Sequence, residues 1–335
     1  MSDYTKTFKA ACVQAEPVWL DLQGSVEKTI ALASEAADNG AAVIAFPETW
    51  IPGYPWWIWL DSVAWQSQFV VRYAQNSLEL GSPEFDRITA AAADLGIAIV
   101  LGYSERVGGS LYIGQAFISS SGQVLRTRRK LKPTHVERAV FGDGDGSDLA
   151  VVDSEFGRLG GLCCAEHIQP LTKFALFSQQ EQLHVAAWPS FSIYPGAAYA
   201  LGPEVNTAAS QQYALEGQVF VLAPTGIVGQ AAYDLFVDTD QKKELLHLGG
   251  GHARIYGPDG RSLATPLDPT EEGILYADID YSHILAAKNA YDPTGHYSRP
   301  DVLRLLFNPT PAPRVVRTER LDAVAPEFAE PIDVE

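Results

Sequence analysis

The stretch GRLGGLCCAEHIQPL, Gly157 to Leu171, constrains this chain more than any other. Leu159 to Cys163 is apolar enough for a buried strand, and a helix-like pattern follows from Leu171 to Gln179, just after Pro170. Between them a cysteine, a carboxylate and a histidine come in quick succession. A strand feeding a turn and then a helix belongs to a layered α/β architecture. A side chain at such a turn is presented at the sheet edge, close to backbone N–H groups. Cys164 holds that position and reads as a nucleophile. The competing reading is a small core residue, because cysteine is among the most often buried residue types. Alternation along the strand sends Cys163 to the opposite face, where it serves packing.

The same alternation of strand and helix runs through the rest of the chain. Phe8–Gln14, Ala42–Phe46 and Ile97–Tyr103 read as strands, and Leu111–Ile118 with Val124–Thr127 as an antiparallel hairpin. His184–Trp188, Gln218–Pro224, His252–Tyr256 and Gly273–Ile279 continue the series. Helices are expected through Val26, Ile30 and Ala33 to a stop at Asn39-Gly40, over Phe85–Leu95 behind a Ser82-Pro83-Glu84 cap, and over Pro203–Leu215. This pattern implies α/β layers around mixed sheets. There is no internal repeat and no glycine-serine linker in the 335 residues, so a single domain over 1–308 is expected. A Pro-rich acidic tail, or a strap over a partner, is expected over 309–335.

The formal charge of −17 argues against nucleic acid or an anionic membrane as partner, since either requires a basic face. Three cysteines, two of them adjacent, make no disulfide framework, so reduced thiols and a cytoplasmic setting are expected. No apolar run approaches the length of a membrane span. The Asp143-Gly-Asp145-Gly run superficially suggests a calcium loop but lacks the glycine and glutamate that such a loop needs at its sixth and twelfth positions, so no metal site is expected. Residues 49–60, TWIPGYPWWIWL, are dense in aromatics and suit either a core cluster or a ligand pocket. A carboxylate at the mouth of an apolar strand, as Glu48 is, is uncommon unless paired or used.

Three motifs in order carry a resemblance to a known family. They are Phe46-Pro47-Glu48, the run Arg128-Arg129-Lys130-Leu131-Lys132-Pro133-Thr134, and Gly160 to Leu171 with its Cys-x-Glu-His-x-x-Pro-Leu core. Together they resemble the nitrilase superfamily over nearly the whole chain. Within it, PGYPWWIWLDS, KPTHVER, AAWPSF and DPTGHYSRPDVLRLLFN are most similar to bacterial arylacetonitrilases. The resemblance implies a four-layer α-β-β-α sandwich, catalysis without a cofactor, and subunits that associate through helices flanking the sheets, often into longer spirals.

It also implies roles for particular residues. Cys164 would attack a nitrile carbon, Glu48 would move its proton, and Lys130 with the Ala165 N–H would stabilise the charge that develops. Glu137 would orient Lys130 or water. Glu166 and His167 would fix the turn by hydrogen bonds. Tyr54, Trp188 and Phe191 are pocket candidates, Trp57 and Trp59 are assigned to core or interface, and His296 to either site lining or interface. Many family members carry Trp after the nucleophile, whereas this chain has Ala165, which leaves room beside the thiol. Arylacetonitriles, including mandelonitrile, are therefore the expected substrates, with some amide by-product. The alternatives are an amidase, a carbamoylase or a cyanide-hydrolysing relative, and, outside enzymes, a non-catalytic assembly protein.

Overall fold

A computed structural model describes residues 3–316. The first half of the chain contributes β1 (Thr7–Ala15), α1 (Leu22–Asp38), β2 (Val43–Ala45), α2 (Val63–Asn76), α3 (Pro83–Leu95), β3 (Ala98–Val107), β4 (Ser110–Ile118) and β5 (Val124–Arg129). Next come β6 (Phe141–Gly142), β7 (Val152–Ser154), β8 (Gly157–Cys163), α4 (Pro170–Phe177), β9 (Leu183–Ala187) and α5 (Pro203–Gly217). The described chain closes with β10 (Phe220–Ala223), β11 (Thr225–Gly226), α6 (Gln230–Phe236), α7 (Asp240–Leu245), β12 (Arg254–Tyr256), β13 (Gly273–Asp280) and α8 (Ser282–Ala290).

The strands form two mixed sheets. The larger runs β11-β1-β2-β3-β4-β5, with β13 antiparallel to β1 and β6 beside β4; the smaller runs β12-β10-β9-β8-β7. Strand periodicity explains why the sheets stack. Along β1, Ala10 and Cys12 face the second sheet while Ala11, Val13 and Ala15 face α1 and α3, and both sets are buried. Val43 and Ala45 of β2 alternate with Ile44 and Phe46 in the same way. In the smaller sheet, Leu183, Val185, Phe220 and Leu222 point inward, and Ala186, Val221 and Ala223 pack outward against α4 and α5. A strand that is apolar on both faces has to be covered on both, and the result is the expected α-β-β-α sandwich.

Local chemistry fixes the helix ends. In α3 the Ser82 side chain accepts from Phe85 N, Pro83 opens the first turn, and Gly96 closes the helix with φ +64°. The Asp21 side chain caps α1 in the same manner by accepting from Gly24 N. One glycine matters for the site: a Cβ on Gly102 of β3 would lie 1.9 Å from the Pro47 carbonyl oxygen. Only glycine lets the Pro47-Glu48 segment cross β3 at that point.

Several elements differ from the sequence reading. α2, α6, α7 and α8 were not anticipated, and α2 buries only Phe69 and Tyr73 while exposing Val63, Val70 and Val71. A face that narrow gives little periodic signal. The basic loop begins inside β5, so Arg128 and Arg129 lie on a strand. Of the expected tail, Ala312 N donates to Asp145 Oδ2 at 2.8 Å, and the Asn308 carbonyl passes close over Gly146, so this stretch straps the chain's own surface. Residues 317–335 lie outside the described residues. Among the described residues no helix is long and apolar enough to cross a membrane.

Candidate active site

Four strands of the two sheets deliver their carboxyl ends to one place. The chain leaving β2 carries Glu48, that leaving β5 carries Lys130, β8 ends at Cys163 beside Cys164, and β9 hands on to Trp188. Carboxyl ends of sheet strands are where open α/β folds form crevices. At the end of β8 the backbone turns sharply: Cys163 is extended, while Cys164 adopts φ +46° and opens a 3-10 turn over Cys164–Ile168. A left-handed cysteine is strained unless its surroundings hold it. Glu166 and His167 supply much of that hold.

Glu166 accepts from Cys163 N at 2.7 Å and from Leu131 N at 2.7 Å. It also takes a two-pronged contact from Arg128, at 2.7 and 3.0 Å. Burial alone would raise the Glu166 carboxyl; the guanidinium and the two N–H donors outweigh it and hold the group below its ordinary value. Arg128 comes from the larger sheet and Glu166 from the turn after β8, so this buried pair ties the two sheets together next to Cys164. His167 Nδ1 lies 2.8 Å from the Cys164 carbonyl oxygen. The sequence marks Arg128 as the first residue of a basic motif without a role of its own; its burial at 2% exposure marks it as structural.

Lys130 is fully buried between two carboxylates. Its Nζ donates to Glu48 Oε1 and to Glu137 Oε2, both at 2.8 Å. Glu137 sits on a 3-10 turn over His135–Ala139 and accepts further from Thr134 N at 2.6 Å and from Tyr54 OH at 2.7 Å. Glu48 Oε2 is buried without a hydrogen-bond partner among the described residues. Burial pushes the Glu48 carboxyl up to about 8; Lys130 pulls against this, and the Glu137 charge adds to it. Burial likewise raises the Cys164 thiol well above its usual value, with Lys130 opposing and the two glutamates reinforcing. The neighbouring Ala165 N–H also opposes the rise and favours the thiolate. The resting thiol is therefore neutral and loses its proton only to a nearby base.

The cavity in front of Cys164 is lined by Tyr54, Trp56, Trp59, Glu137, Trp188 and Phe191, with Ala165 and Ile168 beside the sulfur. The structure thus brings together Cys164, Lys130, Glu48, Glu137, Tyr54, Ala165, Trp188 and Phe191. The Tyr54 hydroxyl is committed to Glu137 and accepts from Trp59 Nε1 at 3.1 Å, so the tyrosine orients a carboxylate as well as lining the wall. Trp59 is corrected from core or interface to cavity lining, whereas Trp57 packs on Phe69 in the core. His296 does not join the site: it is exposed and lies 3.3 Å from Asp292. Its segment leads toward Leu305 and Phe307, which pack outside the smaller sheet. Sequence reasoning missed the far wall, Ala200 and Leu201 on the turn just before α5 and Asn206 in its first turn, which no motif marks.

The profile described as carbon-nitrogen hydrolase matches residues 9–289. A "Nitrilase" of Pseudomonas syringae pv. syringae (strain B728a) is 57% identical, covering 96% of this chain and 98% of the relative. An "Aliphatic nitrilase" of Rhodococcus rhodochrous is 55% identical over 92% of this chain and 84% of its own. A "Nitrilase, arylacetone-specific" of Alcaligenes faecalis is 49% identical over 97% and 92%. Among solved structures, a carbon-nitrogen hydrolase from Helicobacter pylori G27 superposes with a TM-score of 0.70 at 14% identity, over 88% of this chain and 97% of that one. Sequence, fold and the gathering of residues around Cys164 converge: the chain belongs to the carbon-nitrogen hydrolase family, the nitrilase superfamily, and is a hydrolase of the nitrilase type.

Proposed function

We propose that this protein hydrolyses an organic nitrile, with arylacetonitriles such as phenylacetonitrile and mandelonitrile preferred, to the carboxylic acid and ammonia. The observation that carries the reading is an aromatic-lined cavity faced by the Cys164 thiol and the Glu137 carboxylate, with Lys130 bridging Glu137 to the buried Glu48. Glu48 takes the Cys164 proton as sulfur bonds to the nitrile carbon, and that proton passes to the nitrogen, giving a thioimidate. The partnerless Glu48 Oε2 supports this role, since a base needs an oxygen that is not already engaged. Lys130 and the Ala165 N–H stabilise the charge on nitrogen and later on oxygen. Water adds across the C=N bond, ammonia departs, and a thioester remains. A second water releases the acid and restores the thiol.

The aromatic walls and the small side chain at 165 favour an aryl group over a compact aliphatic one. The same room lets the tetrahedral species expel sulfur instead of ammonia, which yields amide. Ammonia, acid and amide measured on aliphatic, aromatic and arylacetic nitriles test the reading. Arylacetonitriles should turn over fastest; a protein acting on phenylacetamide but not on phenylacetonitrile would be an amidase instead. The proposal extends to self-association through the helices flanking the sheets, supported by the exposed apolar side chains of Val63, Val70 and Val71 on α2 and of Ile168 and Leu171 around the start of α4. Sedimentation should give a mass above one chain, and a monomer at micromolar concentration would remove that part.

A further inference from the structure

Behind the nucleophile a line of buried polar side chains runs through the smaller sheet toward α5. His167 Nδ1 lies 2.8 Å from the Cys164 carbonyl oxygen, and His167 Nε2 lies 2.9 Å from His184 Nε2. His184 Nδ1 lies 2.7 Å from Glu181 Oε1, and the Tyr213 hydroxyl donates to Glu181 Oε2 at 2.6 Å. Glu181, His184, His167 and Tyr213 are each at most 2% exposed. None of these groups takes part in the proposed chemistry.

Counting donors fixes where the protons are. A carbonyl oxygen only accepts, so His167 must carry its proton on Nδ1. With a neutral ring its Nε2 is then an acceptor, and His184 must donate from Nε2. That leaves the His184 Nδ1 bare, so the hydrogen in the last bond has to come from Glu181 itself. The alternatives place an imidazolium and a carboxylate in a dry interior. Burial disfavours a positive charge on either ring, and for His167 the neighbouring His184 adds to this, as Arg128 does for His184. Burial also pushes the Glu181 carboxyl up to about 8, in keeping with a proton held at neutral pH. The other ionisable groups around the line are Tyr213 from α5, Tyr281, and the Arg128–Glu166 pair, which neutralises itself.

We propose that Glu181 is a neutral carboxylic acid heading a one-way hydrogen-bond chain, Glu181 to His184 to His167 to the Cys164 carbonyl, that positions the left-handed nucleophile. The packing around the chain fits this. A Cβ on Gly160 of β8 would lie 2.0 Å from Glu181 Oε1, so the second glycine of GRLGGL admits the acid. Trp188 stacks on the His167 ring at 5.2 Å and 29°, and Tyr213 stacks on His184 at 3.8 Å and 28°. Each ring is pinned in the plane its hydrogen bonds require. These are positioning residues, and their link to catalysis rests on the reading of Cys164 as nucleophile.

The test uses a substitution that a neutral acid tolerates. In Glu181→Gln the amide donates to His184 and accepts from Tyr213, so kcat should stay within about threefold; a larger loss in a folded protein overturns the neutral acid, because an ionised partner cannot be copied by an amide. His167→Phe keeps the stack on Trp188 and removes the donor, so kcat should fall about tenfold or more with KM little changed. An unchanged kcat there overturns the positioning role. Infrared spectra at neutral pH provide a readout independent of activity. They are taken in a Glu48→Gln background, so that Glu48 contributes no acid band. The carbonyl stretch of a protonated acid should be present and should vanish when Glu181→Gln is added; its absence beforehand overturns the proposal, whether or not the double variant folds. Cys164→Ala should abolish turnover and leave the band unchanged. Turnover surviving in that variant would sink the nucleophile reading alone.

Discussion

Glu48 is the residue on which the proposed chemistry turns, and its environment makes the dependence measurable. Its carboxyl is raised to about 8 by burial, with Glu137 adding to the effect. A base must be ionised to accept a proton, so activity should be present above that value and lost as pH falls through it. The acid limb of kcat/KM is expected near pH 8, with a decline of about tenfold per pH unit below it. Glu137→Gln removes a negative neighbour, so the limb should move to lower pH in whatever activity remains. A limb that stays in place in that variant would show that another group titrates. Glu48→Gln keeps the shape and removes the base; turnover should drop by about 10²–10⁴-fold with melting nearly unchanged. Near-normal turnover would end the assignment of Glu48 as base. At this scale the sequence was informative for Cys164, Glu48 and Lys130, because each stands in a motif at the end of an apolar strand. Trp59 and Arg128 were harder to place, since a tryptophan among four and an arginine in a basic run carry no local sign of what they touch.

Elements matter here through the way they present those residues. Strands buried on both faces announce themselves as apolar runs, which is why the β2, β3, β8, β9 and β10 segments were all legible. The helices that escaped notice cover little: α2 buries two side chains, and α8 buries only Ile284. The wall formed by Ala200 and Leu201 was illegible for a different reason, because its position depends on where α5 begins in space and on nothing in its own composition. A sequence-level glycine with no evident purpose, Gly102, gains one from the fold. Its missing side chain lets the Pro47 carbonyl approach β3, and that approach sets where the Glu48 side chain starts. Gly102→Ala should therefore act on both stability and turnover. Overpacking of this kind costs about 1–3 kcal/mol. Displacing the base by a fraction of an ångström should lower kcat about tenfold or more. Urea unfolding together with steady-state kinetics checks both; a protein destabilised but fully active would mean that the segment yields without moving Glu48.

On the scale of the molecule, the candidate site belongs to neither sheet alone. Glu48 and Lys130 are carried by the larger sheet and Cys164 by the smaller, so the distance between base and thiol is set by how the sheets stack. Polar ties across the seam include the Arg128–Glu166 pair, the Glu48 N–H to the Trp188 carbonyl at 3.2 Å, and the weak 3.5 Å contact from Gln115 Nε2 to the Val185 carbonyl. Apolar packing fills the seam between them, and there Phe117 of β4 reaches to within 3.1 Å of where a Cβ on Gly161 would stand. Phe85 of α3 is buried to a similar degree, but in the outer layer between α1, α3 and the larger sheet. Phe117→Leu and Phe85→Leu should each destabilise by about 1–3 kcal/mol, between a conservative exchange and full truncation. Their effects on chemistry should differ. Loss of volume at the seam lets the sheets shift, so Phe117→Leu should reduce kcat by about tenfold while KM changes little. Loss of volume in the outer layer leaves both halves of the site in register, so Phe85→Leu should keep kcat. Measured at a temperature where both variants are folded, equal kcat values would mean that the polar ties across the seam fix the stacking, and that the packed core between the sheets has no part in aligning the site.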